Sequence, residues 1–144
     1  MKESIFIGWM ALMIGLILGC NKNSDDLSLG PIPPGAYQYT SYDSTGVAIV
    51  KGWLTLNYEG SLNITGEWHL EKIGNPHNIG PQVGNGNLVG VIDQERVWVE
   101  LNPQYVDNNL QLNGIIENGH YKGEWIWTSF AGITNRGSFE AVRI

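Results

Sequence analysis

Trp53 to Leu70 reads WLTLNYEGSLNITGEWHL, and its side chains change character with a period of two. Leu54, Leu56 and Tyr58 fall on one side of the first run, with Trp53, Thr55 and Asn57 on the other. After the turn residues Tyr58-Glu59-Gly60-Ser61, the residues Leu62, Ile64, Gly66, Trp68 and Leu70 oppose Asn63, Thr65, Glu67, His69 and Glu71. Period two marks a strand with one buried and one wet face, and a short Gly-containing turn joins two such runs into a hairpin. The stretch LQLNGIIENGHYKGEW (Leu110 to Trp125) repeats the plan: Leu-x-Leu-Asn, a turn with Gly, then a strand reaching Gly-Glu-Trp. Glycine inside a strand weakens it and marks a bend, a bulge or the close approach of another backbone. The indole two residues later points to the same side as that glycine, inward, while Glu67 and Glu124 point out. The repeat predicts a corner made twice, not an active-site element made twice.

The alternation spreads outward from these hairpins. Val97, Val99 and Leu101 oppose Arg96, Trp98 and Glu100, and no stretch from Ala36 onward has a helical period. Turn-forming clusters at 43–46, 58–61, 92–95, 102–109, 117–120 and 131–137 separate the runs. Eight strands are expected, at 36–42, 47–58, 61–71, 86–92, 95–101, 109–117, 121–129 and 137–143. The one long connection, IGNPHNIGPQVGNG (73–86), is rich in Gly and Pro and reads as an exposed loop. Short connections pair sequential neighbours, so the fold class is all-β, an antiparallel meander. Closing it into an eight-stranded up-and-down barrel removes both edges; a two-sheet β-sandwich is the alternative.

The chain begins differently. Ile5 to Leu18 is free of charge and about 14 residues long, shorter than the roughly 20 a membrane-spanning helix needs and right for a signal-peptide core. It ends in Ile17-Leu18-Gly19-Cys20, which resembles the lipobox of bacterial lipoproteins. That resemblance implies cleavage before Cys20, a diacylglycerol thioether on its sulfur and an acyl chain, such as palmitate, on its new amine. It places the protein in the bacterial cell envelope, anchored to a membrane through Cys20. Asn21 after the cysteine points to the outer membrane under the enterobacterial sorting pattern. Residues 1–19 are then a signal peptide, 20–35 a lipid-anchored flexible tether, and 36–144 the β-barrel domain. The tether NKNSDDLSLGPIPPG is polar and then Pro-rich, with nothing periodic.

Composition narrows the chemistry. The net charge is -6, and it stays there after cleavage because Lys2 and Glu3 cancel. An acidic chain without a basic run excludes nucleic acid as a partner, since phosphate contacts need clustered Lys or Arg. Cys20 is the only cysteine, so the domain has no disulfide to form. His69, His77 and His120 lack the convergent spacing of a metal site, and Asp107-Asn108-Asn109 reads as an Asx turn; no metal and no cofactor are expected. Glu67 and Glu124 are the only matched carboxylates. A glycosidase pair must face across a cleft, and these two read as outward and solvated, so no catalytic residues and no enzyme activity are expected.

The aromatic residues carry the binding hypotheses. Trp68, Trp125 and Trp127 fall on the inward face with Tyr121 and Phe139, where they either line a ligand cavity or fill the barrel solid. Trp53 and Trp98 fall on the outward face, where an indole needs cover: a partner surface, a stacked sugar, or the 73–86 loop. At the level of architecture the domain resembles the lipocalin-like and avidin-like small barrels. The resemblance implies a small apolar or heteroaromatic ligand held among Trp68, Tyr121, Trp125 and Trp127. The rival reading is an anchored interaction module, a hydrolase inhibitor or envelope-complex subunit, that meets an envelope protein through Trp53 and Trp98.

Overall fold

The computed structural model describes residues 35–58 and 61–144. The signal segment, Cys20 and the tether up to Pro34 lie outside the described residues, as do Glu59 and Gly60. Eight strands follow in chain order: β1 (Ala36–Tyr42), β2 (Ala48–Thr55), β3 (Asn63–Lys72), β4 (Gly84–Asp93), β5 (Arg96–Glu100), β6 (Asn108–Glu117), β7 (His120–Ser129) and β8 (Gly132–Arg143). Each pairs antiparallel with its sequence neighbours, and β1 pairs with β8, so the sheet is a closed up-and-down barrel and not a sandwich. The connections β1–β2, β3–β4, β5–β6 and β7–β8 therefore gather at one end. Gly35, Ile144 and the other connections gather at the opposite end.

Two expectations need correcting. Residues 131–137 were expected to be a turn, yet β8 starts at Gly132. Ile133 pairs with Thr128 and Asn135 with Trp127, with a register shift beside Thr128. Their Thr, Asn and Arg content suits a turn in isolation, but the long β7 supplies ladder partners that hold them extended. β4 likewise begins at Gly84, before the expected Gly86.

The inward rows meet in one core. Tyr39, Val50, Leu54, Leu70, Val99, Leu110, Leu112, Tyr121 and Trp125 are all fully buried. Phe139 ties three strands together: its ring centroid lies 5.8 Å from Tyr39, nearly parallel, and 4.7 Å from Tyr121, edge-on. Such pairs contribute about 0.5–1.5 kcal/mol beyond the area they bury.

The two Gly-Glu-Trp corners share one cause. A β-carbon on Gly66 would run into the main-chain carbonyl of Thr55, and one on Gly123 into that of Asn113, each on the preceding strand. The wall bends too tightly there for any side chain. The copies differ in register, however: Leu54 opposes Trp68, whereas Leu112 opposes Trp125 and Leu110 opposes Trp127. The corner repeats; the packing around it does not.

Candidate functional site

Inside the barrel, main-chain carbonyls hold the polar tips of Trp68, Tyr121 and Trp125. Trp68 Nε1 donates to the Leu101 carbonyl at 2.7 Å, and Trp125 Nε1 to that of Tyr42 at 2.8 Å. The Tyr121 hydroxyl donates to the Leu112 carbonyl at 2.7 Å, with the Val97 carbonyl 3.3 Å away. Burial pushes the Tyr121 phenol well above its ordinary pKa, with the neighbouring Tyr39 adding to it. Tyr39 is raised by burial as well, against a smaller lowering from nearby Ser41, and its hydroxyl makes no well-formed hydrogen bond. A buried polar group left unpaired in this way costs about 1–3 kcal/mol. Trp68, Tyr121 and Trp125 thus share the core, held in place by bonds to nearby main chain.

Trp127 sits apart from them, half-buried at the end where the β3–β4 connection lies. Its Nε1 donates to Asn108 Oδ1 at 2.8 Å. Its ring covers Gly80 so closely that a β-carbon there would overlap it. The β3–β4 loop is one of the three covers the sequence offers for the outward indoles; it caps this mouth instead. The buried Gln82 accepts from Ser41 Oγ at 2.9 Å and donates to the Ile79 carbonyl at 2.6 Å. Asn102 Nδ2 donates to the Pro81 carbonyl at 2.8 Å, and Asn135 Nδ2 to that of Asn78 at 2.7 Å. With anchors on β1, β8 and the β5–β6 connection, the loop crosses the mouth.

Trp53 and Trp98 do face outward, but they do not share a surface. Trp53 lies opposite His69 and stacks on its ring, centroids 6.1 Å apart and planes 18° off parallel. Trp98 lies opposite Val91, which in turn lies opposite Asn63 on β3. Asn63 and His69 are six positions apart on β3, which separates the two indoles by about 20 Å along the strands. Trp53 has its cover in the neighbouring strand. Trp98 has none of that kind among the described residues.

Around Trp98 the outer wall is concave. Hollows of about 490, 530 and 200 Å³ adjoin it, and all three use its side chain as a wall. The largest apolar groups beside it stay in water: Val89 is 41% exposed, Val91 45% and Ile115 37%. Asp93, Glu95, Arg96 and Glu100 border this apolar patch, and Lys122 lies opposite Ile115 on β7, so the rim holds three acids and two cations. Asn113, the cross-strand partner of Trp98 on β6, keeps its Oδ1 buried without a hydrogen-bond partner.

Glu67 and Glu124 stand on β3 and β7, and Glu124 reaches Arg136 Nη1 at 3.5 Å in an exposed pair. Among the described residues no three His, Cys, Asp or Glu side chains converge on a metal position. The loop tips at the capped end carry apolar side chains that the strand pattern does not account for. Val106 is 86% exposed and Phe130 88%. Both sit in or beside segments read as turns, and the available signal was an apolar residue where a turn needs none.

No protein-family model matches the chain, and no curated protein matches its sequence.

Proposed function

We propose that the chain is a non-catalytic binding module of the bacterial envelope, anchored through Cys20, that engages a protein partner with the wall around Trp98. The observation that carries this reading is the concave apolar patch of Val89, Val91, Trp98 and Ile115 inside a rim of three acids and two cations. An indole at the centre of such a patch is the kind of anchor that dominates interface energy. The rim's net negative charge favours a partner whose protruding apolar side chain is flanked by Lys or Arg over an anionic lipid surface. An eight-stranded barrel is also compatible with a lipocalin-like ligand-binding module. A ligand seated among Trp68, Tyr121 and Trp125 would have to displace side chains already bonded to main chain. That weighs the balance toward the outer wall.

The test is affinity capture from envelope extracts with the full, lipidated chain and its Trp98→Ser variant. The expected result is a partner retained by the wild type and lost by at least tenfold in the variant, with an unchanged melting temperature. Equal capture by both proteins removes Trp98 from the interface. Retention of a small aromatic molecule in native mass spectra, lost on Trp127→Ala, would favour the ligand reading.

A further inference from the structure

At the uncapped end, where the chain enters and leaves the barrel, the rim holds a half-open pocket of about 800 Å³. It forms where β2 ends and the chain bends away from β1. Its lining includes Tyr37, Leu56, Asn57, Tyr58, Asn63 and Arg143. The volume is that of ordinary small-molecule sites, about 300–1,000 Å³.

We propose that this pocket binds a small polar anion of sugar size, a sugar acid or sugar phosphate. The charge argument comes first. The chain carries -6 overall, yet Arg143 is the only charged residue among the described residues lining the pocket. A guanidinium offers a fork of donors that matches a carboxylate or phosphate. Its position is fixed by the fold. Arg143 lies opposite Tyr37 in the β1–β8 ladder, and its main-chain N–H donates to the Gly119 carbonyl at 2.8 Å.

The remaining lining suits hydroxyl groups. Asn57 and Thr65 exchange main-chain hydrogen bonds of 2.8 and 3.1 Å, which leaves the Asn57 amide side chain free of the ladder. Asn63 is braced from below, its main-chain N–H donating to Ser61 Oγ at 3.0 Å. Two phenols complete the site. Tyr37 is buried to 3% exposure, with its pKa pushed up to about 12 by burial and by the adjacent Tyr58, so its hydroxyl keeps its proton at neutral pH. The half-buried ring of Tyr58 supplies the apolar surface on which a sugar ring rests.

The experiment uses the full chain in detergent, with glucuronate, glucose 6-phosphate and glucose as probes, read by saturation-transfer NMR and by melting temperature. The expected result is binding of at least one acidic probe, with glucose at least tenfold weaker. Glucuronate alone identifies a carboxylate site, glucose 6-phosphate alone a phosphate site. Arg143→Gln should weaken the acidic probe at least tenfold, and Arg143→Lys should recover part of the loss. Asn63→Ala, which removes no charge, should weaken the probe by a smaller factor and serves if the Arg143 variants fail to fold. Equal binding of glucose and the acids overturns the proposal. So does undiminished binding by Arg143→Gln, or the absence of binding of all three probes to the wild-type chain.

Discussion

Trp125 Nε1 donates to the main-chain carbonyl of Tyr42, 2.8 Å away and 83 residues earlier in the chain. The bond joins β7 to the end of β1 across β8, so one side chain fills the core and fixes the curvature of the wall beside it. Trp125→Ala should cost about 3–5 kcal/mol, the range for deleting a buried aromatic. Trp125→Phe keeps most of the volume and leaves the Tyr42 carbonyl unpaired, a cost of about 1–3 kcal/mol. Urea unfolding of both variants separates packing from hydrogen bonding; a Trp125→Phe variant as stable as the wild type would deny the bond any role.

The glycine corners give a sharper contrast. Gly66→Val and Gly123→Val must push a side chain into a main-chain carbonyl, and each should destabilise by at least about 1–3 kcal/mol. Glu67→Gln and Glu124→Gln, on the outer face, should change stability by no more than about 0.5 kcal/mol. Tolerant glycines together with costly glutamates would show that the two faces are reversed.

Buried tyrosines set the alkaline limit. Tyr37, Tyr39 and Tyr121 all have pKa values raised above the model-compound 10.0, chiefly by burial. A raised folded-state pKa means the unfolded chain loses its protons first. The stability these groups contribute is therefore complete below about pH 10 and falls as pH rises from there through the folded-state values. Each fully buried tyrosine adds a slope of about 1.4 kcal/mol per pH unit in that window. Tyr39→Phe should reduce the slope, and at pH 7 it should be neutral or stabilising because it removes an unpaired buried hydroxyl. Melting curves from pH 7 to 11.5 check both; a wild-type curve that stays flat to pH 11.5 contradicts the assignment.

Trp53 serves as the internal control for Trp98. Its ring stacks on His69, so Trp53→Ser should lower stability by about 0.5–1.5 kcal/mol and leave partner capture intact. Loss of capture on that change alone would move the interface to β2 and β3.

The proposed anchor on Cys20 has its own test. Cys20→Ala should leave the chain as an unprocessed precursor that takes up no labelled palmitate. Labelling unaffected by the substitution would remove the lipid anchor from the account.

The order and faces of the strands were legible because alternation is local: Leu54 and Leu56 against Thr55, or Val97 and Val99 against Trp98, need no knowledge of the partner strand. That order left a closed barrel and a two-sheet sandwich both open, and the β1–β8 ladder is what decides for the barrel. The destination of the long loop was not legible. Nothing in GNPHNIGPQ says that Gln82 meets Ser41 or that Asn135 meets Asn78, because those bonds join residues 41 and 57 positions apart. The same limit hid the separation of Trp53 from Trp98, which depends on the register of the intervening β3 and β4. The rim pocket escaped notice for a related reason, because Tyr37, Tyr58 and Arg143 come from both ends of the domain.

The ladder that joins β1 to β8 has a consequence for how the molecule is made. Every other pairing links neighbours in the chain, but Tyr37 finds Arg143 only when the domain is complete. A chain that emerges N-terminus first holds β1 with one unpaired edge until the last twelve-residue strand arrives. Until then it is an open ribbon, able to pair with a second chain at either margin. Residues 132–143 therefore act as a latch, and a truncation that removes them should leave two strand edges open to a second chain.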